Sequence, residues 1–531
     1  MVPADREAAH NVESAGGKFV DTVLTNNQTQ TPLRQPPGLV VLFFAEMWER
    51  FSYYGMRALL VFYLTKHWLF DDATATGIYA SYGSLVYLTP ILGGLIADRW
   101  LGFRRAVILG GCLLVMGHLG MAIEGEPARW VAGEVVRDDA TLQVFYLSLA
   151  LIITGVGFLK PNISSIVGAL YARDDPRRDA GFTLFYMGIN VGAMVSALVC
   201  GWLGETYGWR YGFGLAGVGM VAGLVTFLRG RDRLQGVGEA PVGDALFRPL
   251  RGRLRLDHCI YLGTVAGVVV AWWLMQHRAM VGGLLTLGSL VAVGGIIGFS
   301  VLKCTPEERN RMLLVLFLTS VSVLFWALFE QAGSSMNLFA DRIVDRSVGG
   351  VEITASQLQS LNPFFIIVLA PLFARLWTFL GGAGREPSTG MKFALALLQV
   401  GLGFVVLLEG IRQVDANGHV ALLWLAGAYL LHTTGELCLS PVGLSMVTRL
   451  SVSRIVGLMM GVWFLSSSAA AYVGGLLAGI AAADAGAADG GLSNYVTAFE
   501  LAAKVGIAAG VVLILLVPLL KRMVPPGGSG S

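Results

Sequence analysis

Long apolar stretches recur along almost the whole chain, and short polar connections separate them. A helix needs roughly 20 predominantly apolar residues to cross a bilayer. The pattern therefore predicts an all-α polytopic membrane protein with fourteen spans. We place them at about residues 37–66, 75–99, 104–123, 142–171, 181–203, 209–229, 257–276, 280–302, 311–338, 357–380, 390–411, 420–445, 455–482 and 495–520.

Lys and Arg concentrate in alternate connections between the predicted spans. Arginines occur at 99–105 and 173–178 and throughout 229–255, whereas the intervening connections, such as 124–139 and 341–352, are acidic or neutral. Positively charged connections stay on the cytoplasmic side of a membrane. Both termini are therefore predicted to be cytoplasmic.

Spans seven and eight, residues 257–302, differ from the others. They carry no charge pair inside the membrane and follow a long Arg- and Gly-rich connection, so we interpret them as an inserted hairpin. The remaining six plus six spans match the major facilitator architecture, in which substrate sits between two helical halves. The predicted organisation is a disordered cytoplasmic leader (1–35), a six-helix bundle (36–230), a cytoplasmic linker with the hairpin (231–304), a second bundle (305–523) and a Gly/Ser-rich tail that looks artificially added (524–531).

Composition excludes several functional classes. Only 14% of the 531 residues are charged, and the net charge of +3 comes with no basic run interleaved with aromatic residues, so no nucleic-acid partner is expected. The five cysteines are scattered without metal-binding spacing. Neither a metalloprotease motif nor a convincing nucleophile motif occurs in the spans, so we expect neither an enzyme nor a cofactor.

The first span carries an unusual cluster of charges: Glu46, Glu49 and Arg50. Each charge near the bilayer centre costs about 2.5–3.5 kcal/mol on insertion scales. Together with Tyr53 and Arg57, these residues fall on one helical face at spacings of three, four and seven. Such charges indicate a pathway through the membrane, although an ion-pair network that only fixes helix packing is the alternative.

Further ionisable residues lie inside other spans: Lys160, which precedes Pro161, as well as Glu330 and Glu436. Arg50 and Lys160 belong to the first half, and the two glutamates belong to the second. A cavity between the halves would have one positive and one negative wall, which suits a zwitterion. A carboxylate that changes partner between conformations also changes its proton affinity, so we hypothesise proton coupling.

Three motifs resemble those of the proton-dependent oligopeptide transporters, a branch of the major facilitator superfamily. The helix-1 signature is similar to Glu46-x-x-Glu49-Arg50-Phe-x-Tyr53-Tyr54, and a second signature is similar to 182–192. Residues 94–105 resemble the superfamily loop motif, one residue longer than usual. The inserted hairpin is typical of bacterial members.

The resemblance implies roles for individual residues. It assigns proton coupling to Glu46, Glu49, Arg50 and Glu330. It assigns the peptide pocket to Arg50, Tyr53, Arg57, Tyr87, Lys160, Asn190, Trp326, Asn362, Glu436, Trp463 and Ser467. Arg57 with Glu330, and Lys160 with Glu436, resemble the alternating gate salt bridges of the family.

The function implied is proton-coupled import of di- and tripeptides by alternating access. The location implied is the bacterial inner membrane, where the protein would contact lipid and work as a monomer. Animal members use a helix-2 histidine, and residues 75–99 contain none, so coupling would rest on carboxylates. Alternatives are a carrier of nitrate or another small anion, and a receptor-like homologue that transports nothing.

Overall fold

The structure, a computed structural model, describes residues 34–172, 175–247, 249–251, 254–416, 418–482 and 491–523. Most of the predicted leader and the whole of the predicted tail therefore lie outside the described residues. The last two leader residues are held in place, because Arg177 donates a 2.9 Å hydrogen bond to the carbonyl oxygen of Arg34 and Tyr171 donates one of 2.7 Å to Gln35.

Fourteen long helices dominate the described residues, as predicted. They are α1 (Pro37–Phe62), α2 (Asp72–Ile96), α3 (Phe103–Met121), α4 (Asp139–Ala169), α5 (Arg178–Tyr207), α6 (Trp209–Gly230), α7 (Leu256–Gln276), α8 (Arg278–Lys303), α9 (Pro306–Phe329), α11 (Leu361–Gly382), α12 (Thr389–Arg412), α13 (Leu422–Leu450), α14 (Val456–Ile480) and α15 (Leu492–Arg522). The short α10 (Ser335–Arg342) follows a 3-10 turn, Glu330–Gly333. The predicted ninth span, 311–338, is thus interrupted at Glu330.

Short strands occur only in the connections within the described chain. β1 (Arg129–Val131) pairs antiparallel with β2 (Glu134–Val136), β3 (Pro249–Arg251) with β4 (Leu254–Arg255), and β6 (Ser347–Val348) with β7 (Val351–Glu352). β5 (Val344–Asp345) pairs in parallel with β8 (Val420–Ala421).

The chain is a multi-pass membrane protein. Thirteen helical segments among the described residues are long and apolar enough to cross a membrane. The remaining long helix, α1, is not among them, since it carries Glu46, Glu49, Arg50 and Arg57. Polar groups inside a membrane are costly in free energy and mark functional sites. The charged residues of α1 therefore make this helix a candidate part of the functional site.

The helices pack as two groups with the hairpin beside them. In the first half α1 packs on α5 and α6, and α3 packs on α4. In the second half α12 packs on α13 and α15, and α9 packs on α14. The halves meet where α2 contacts α14 and where α5 contacts α11. Small residues permit the closest crossings: a Cβ at Gly110 on α3 would lie 2.6 Å from the carbonyl oxygen of Gly155 on α4.

Ion pairs join the halves at the end of the bundle where α1 ends. Lys66 Nζ lies 2.8 Å from Asp341 Oδ1, and Arg342 donates two hydrogen bonds to the carboxylate of Asp72, at 2.5 and 2.8 Å. We call Lys66, Asp72, Asp341 and Arg342 the polar latch. It holds α1 and α2 of the first half against α10 of the second.

The connection before the hairpin is folded against the first half. The backbone N–H of Arg104 donates a 2.9 Å hydrogen bond to Gly238, and the Arg104 side chain lies 2.6 Å from Glu239. The helix α7 then packs on α4. The predicted linker is therefore a docked segment at these residues.

The helix α8 runs between the two halves. At its first residue, Arg278 donates a hydrogen bond of 3.1 Å to the carbonyl oxygen of Thr74 on α2. At its last residue, the carbonyl oxygen of Lys303 accepts a hydrogen bond of 2.9 Å from Arg454, which lies in the short 3-10 turn before α14. Each end of α8 is thus attached to a different half.

Candidate functional site

A cavity of about 370 Å³ lies between the halves. The first half lines it with Glu46, Arg50, Tyr54, Arg57, Tyr87, Lys160, Ser164, Tyr186, Ile189, Asn190, Ala193 and Ala197. The second half lines it with Trp326, Phe329, Glu330, Ala332, Gly333, Gln359, Asn362, Pro363, Ile366, Tyr429, Glu436 and Ser440. The cavity therefore brings together most of the residues predicted from the sequence.

The face that α1 turns to the cavity is rotated from the predicted one. Glu46, Arg50 and Tyr54 recur every four residues and line the cavity, followed by Arg57. Tyr53, predicted as a pocket residue, does not line this cavity, because its ring stacks on Tyr82 of α2 with centroids 6.4 Å apart. The residue facing the cavity is its neighbour Tyr54.

Glu46, Glu49 and Arg50 form a compact buried cluster. Their exposed fractions are 2%, 1% and 3%. Arg50 Nε lies 3.1 Å from Glu46 Oε1 and makes a second ion pair with Glu49. Of the three, only Glu46 and Arg50 reach the cavity, whereas Glu49 lies behind them. One guanidinium therefore lies between two carboxylates, one of which faces the cavity.

An ion pair between Arg57 and Glu330 joins the two halves at the cavity wall. Arg57 Nη2 lies 2.5 Å from Glu330 Oε2, and Arg57 also donates a hydrogen bond to Tyr79 Oη. Glu330 stands in the 3-10 turn after α9, which Gln331 anchors by a 2.8 Å hydrogen bond to the carbonyl oxygen of Gly474 on α14. The structure thus forms the first of the two predicted gate pairs.

Lys160 and Glu436, the other predicted gate pair, face the cavity without meeting. Lys160 Nζ lies 4.8 Å from the centroid of the Tyr87 ring, an amino–aromatic contact. Glu436 accepts a 2.9 Å hydrogen bond from Asn362, which also donates to Thr433. Within the described residues neither Lys160 nor Glu436 has a salt-bridge partner. The helix α4 continues unbroken through Pro161.

A second cavity of about 260 Å³ adjoins the first and shares Tyr87, Trp326, Glu330 and Ser440 with it. Trp463 and Ser467 line this side cavity together with Phe464. The two predicted α14 residues therefore border a lateral extension of the main space.

Charge is divided unevenly between the walls of the main cavity. Arg50, Arg57 and Lys160 all come from the first half and outnumber its one lining carboxylate, Glu46, while the charged lining residues of the second half are Glu330 and Glu436. This is the predicted pair of positive and negative walls. An ion-pair network that served only helix packing would not leave Lys160 and Glu436 facing open space.

Several lining residues were not predicted. Ser164 and Ser440 each lie four residues after a predicted residue, Lys160 and Glu436, so helical spacing was a usable signal. Tyr186 precedes Asn190 by four, and its carbonyl accepts a 3.0 Å hydrogen bond from the Asn190 side chain. Gln359 carries no such signal, because it enters from the turn before α11.

Comparisons with known proteins agree with this geometry. The sequence profile of the POT family matches residues 104–492. The chain is 37% identical to the uncharacterized transporter YclF of Bacillus subtilis, over 92% of this chain and 94% of that protein. It is 34% identical to a di-/tripeptide transporter of Lactococcus lactis subsp. lactis, over 94% and 98%.

A solved structure gives the same result. A crystal structure of a mutant of the peptide transporter POT in complex with alafosfalin is 37% identical and superposes with a TM-score of 0.77, covering 93% of this chain and 97% of that one. The match confirms the predicted major facilitator fold with its inserted hairpin. The chain belongs to the POT family.

Proposed function

We propose that the protein is a secondary transporter that carries di- and tripeptides across the membrane together with protons. The observation that carries this proposal is the placement of Lys160 and Glu436 on opposite walls of one cavity, each without a salt-bridge partner among the described residues. A peptide has one charge of each sign at its ends, so it would complement both. The relatives named for peptide transport support the substrate class.

The ends of the peptide would bind at different halves. Its carboxylate would lie toward Lys160 and Arg50, and its amino group toward Glu436, which Asn362 holds in place. Asn190, across the cavity, is a further polar contact. Side chains of the peptide would extend into the aromatic side cavity at Trp326 and Trp463. Such a site recognises the backbone termini and tolerates many side chains.

Proton coupling would use the buried carboxylates. Glu46 and Glu49 compete for the single guanidinium of Arg50. If the peptide carboxylate takes Arg50, one of these glutamates loses its counter-ion and gains affinity for a proton. Glu330 would lose its partner Arg57 when this side of the cavity opens, so it is the second candidate for the protonation site. Our preferred protonation site is Glu49.

The contacts between the two halves indicate the conformational state of the transporter in this structure. The Arg57–Glu330 pair and the polar latch lie toward the end where α1 ends, whereas the Lys160–Glu436 pair is apart. With both termini in the cytoplasm, as the loop charges predict, the structure corresponds to a state closed to the outside. Import would then follow by alternating closure of the two gate pairs within a single chain in the bacterial inner membrane.

Other functions find less support in the site. A nitrate carrier would need one anion site, and Glu436 on the facing wall would repel the anion. An enzyme finds no support in the comparisons, because the chain belongs to the POT family and its named relatives are transporters. A receptor-like homologue has no evident use for the paired carboxylates around Arg50.

The test is uptake of labelled dialanine into proteoliposomes, with and without an inward proton gradient. We expect accumulation only with the gradient, and competition by dipeptides and tripeptides but not by free amino acids, tetrapeptides or nitrate. Uptake that ignores the gradient would exclude proton coupling. Competition by nitrate alone would exclude the peptide assignment.

A further inference from the structure

A further space lies away from these two cavities, between the inserted hairpin and the first half. It has a volume of about 470 Å³. We call it the hairpin groove, and its lining includes Leu92 and Trp100 from α2 with its terminal turn, Gly157 from α4, and Cys259, Gly263 and Gly267 from α7. All three helical segments are among those able to cross a membrane, so the groove lies at membrane depth.

The three threonine hydroxyls that line the groove are already hydrogen-bonded. The hydroxyl of Thr89 donates to the carbonyl oxygen of Ile153 at 2.9 Å, and Thr154 and Thr264 each donate to a carbonyl of their own helix, at 2.9 and 2.8 Å. A buried water needs two to four polar partners. The threonines do not supply them and the rest of the lining is mostly aliphatic, which favours an apolar occupant.

The shape of the groove suits a chain molecule. Its lining on α7 extends from Leu256 to Leu274, about 27 Å at 1.5 Å per residue. One leaflet is about half of the ~30 Å hydrocarbon core, so an acyl chain that starts beside Leu256 would reach about as far as Gly267. A Cβ at Gly263 or Gly267 would meet no atom within 4 Å. The glycines therefore leave open space instead of serving a close helix crossing, and neighbouring atoms lose packing contacts if the space stays empty.

Basic residues gather at one end of the groove, where α7 begins. Leu256 and Trp100 line this end. Arg105 and Arg255 both lie against the ring of Phe247, at 4.5 and 5.2 Å from its centroid. Two guanidinium groups are thus held close together by one aromatic ring.

The charges at this end sum to a positive value. Arg99 precedes Trp100 and is exposed, so it adds a third cation to Arg105 and Arg255. The nearby carboxylates are Asp257, which pairs with Arg255, and the exposed Asp98. Three positive and two negative groups leave an excess of one positive charge beside the apolar groove.

We propose that the hairpin groove is a binding site for an anionic phospholipid. One acyl chain lies along Gly263 and Gly267, and the phosphate-bearing headgroup lies at Arg99, Arg105 and Arg255. Lipid in this position fills the space between α7 and α2, so the hairpin and the first half are joined partly through a bound lipid. The proposal does not depend on which substrate the central cavity carries.

Native mass spectrometry on protein released from nanodiscs of equimolar phosphatidylglycerol and phosphatidylcholine tests the site. We expect the parent protein to retain one phosphatidylglycerol, and Gly267→Phe and the smaller change Gly263→Leu to lose it, because their side chains fill the groove. Val265→Phe is the matched control, since Val265 is on the same helix but 62% exposed on another face. Equal retention in Gly267→Phe and Val265→Phe would overturn the proposal, as would a parent protein that retains no lipid.

The headgroup is tested separately. Arg99→Gln combined with Arg255→Gln should abolish the preference for phosphatidylglycerol over phosphatidylcholine while a lipid is still retained. A preference that persists would exclude these arginines as the headgroup site. Inorganic phosphate added in excess should not displace the lipid, since the acyl chain supplies the apolar part of the binding; displacement would identify a simple anion site.

Thermal unfolding in detergent tests lipid binding without measuring how much lipid the protein retains. Added phosphatidylglycerol should raise the Tm of the parent protein and of Val265→Phe but not that of Gly267→Phe or Gly263→Leu. An equal rise in all four proteins would show that the lipid acts elsewhere.

Discussion

Arg57 on α1 and Glu330 after α9 form an ion pair with a 2.5 Å separation, and this pair joins the two halves above the central cavity. Their side chains are 14% and 13% exposed, so water screens the attraction only weakly. Removing one partner of a buried pair leaves an uncompensated charge, which costs about 3–5 kcal/mol. We therefore expect the pair to contribute strongly to keeping the two halves together on this side of the cavity.

Replacing Glu330 with Gln tests this pair. We expect Glu330→Gln to lose gradient-driven accumulation of labelled dialanine, because Arg57 loses its counter-ion and the proposed proton carrier is gone. The charge-reversed double variant, Arg57→Glu with Glu330→Arg, should restore closure and recover part of the Tm lost by either single change. If Glu330→Gln concentrates peptide as well as the parent protein does, Glu330 has no part in coupling.

The second prediction concerns Lys160 and the carboxylate end of the peptide. Lys160→Ala should weaken dialanine binding about tenfold to a hundredfold, since hydrogen bonds to charged groups contribute ~1.5–3 kcal/mol. C-terminally amidated dialanine should bind the variant and the parent protein with similar affinity. Competition binding with dialanine and with amidated dialanine measures this difference. Equal losses of affinity for both ligands would assign Lys160 a different role.

The third prediction concerns Glu436 and the amino end. Glu436→Ala should weaken binding of dialanine more than that of N-acetylated dialanine, because only the former has an ammonium group to lose a partner. Asn362→Ala should show the same selectivity with a smaller effect, since Asn362 holds Glu436 by a 2.9 Å hydrogen bond. A uniform loss for both ligands would argue against amine recognition here.

A cysteine pair should lock the closed end. A Cβ built at Gly201 on α5 lies 3.1 Å from Ser356 Cβ in the turn before α11, near the ~3.5–4.5 Å range of disulfides. Gly201→Cys with Ser356→Cys should cross-link on oxidation and stop uptake until a reductant is added. The single variants are the controls. Full uptake by the cross-linked protein would mean that this contact never opens.

The rotation of α1 is testable by chemical labelling. In a background with the native cysteines replaced by serine, Tyr54→Cys should react with a hydrophilic thiol reagent, and dialanine should protect it. Tyr53→Cys should react slowly and without protection, because Tyr53 is buried against Tyr82. The reverse order of reactivity would restore the face predicted from sequence.

Helical spacing explains what could be predicted. The pairing of Glu46 with Arg50 follows from a separation of four residues on one helix. The fourteen spans and the inserted hairpin follow from hydrophobic length. Spacing does not decide between Tyr53 and Tyr54, because they lie three and four residues after Arg50 and both spacings keep a residue on one helical face. In the structure Tyr53 stacks on Tyr82, and Tyr54 lines the cavity.

Contacts between distant segments were beyond such reasoning. The polar latch joins Lys66 to Asp341 and Asp72 to Arg342, pairs separated by 275 and 270 residues. Nothing in the local sequence pairs these residues, since any exposed acidic and basic groups could have met. At the break of the predicted ninth span, Gln331 next to Glu330 likewise bonds to a distant segment, α14. These features follow from tertiary packing.

The attachment of α8 at both of its ends has a mechanical consequence. Its 26 residues form a helix about 39 Å long. Arg278 attaches one end of it to α2, and Lys303 attaches the other end to Arg454. A helix resists stretching, so the distance between these two points of attachment is nearly constant. While both hydrogen bonds are kept, we expect the halves to pivot about α8 and the hairpin to limit how far they separate in each transport cycle.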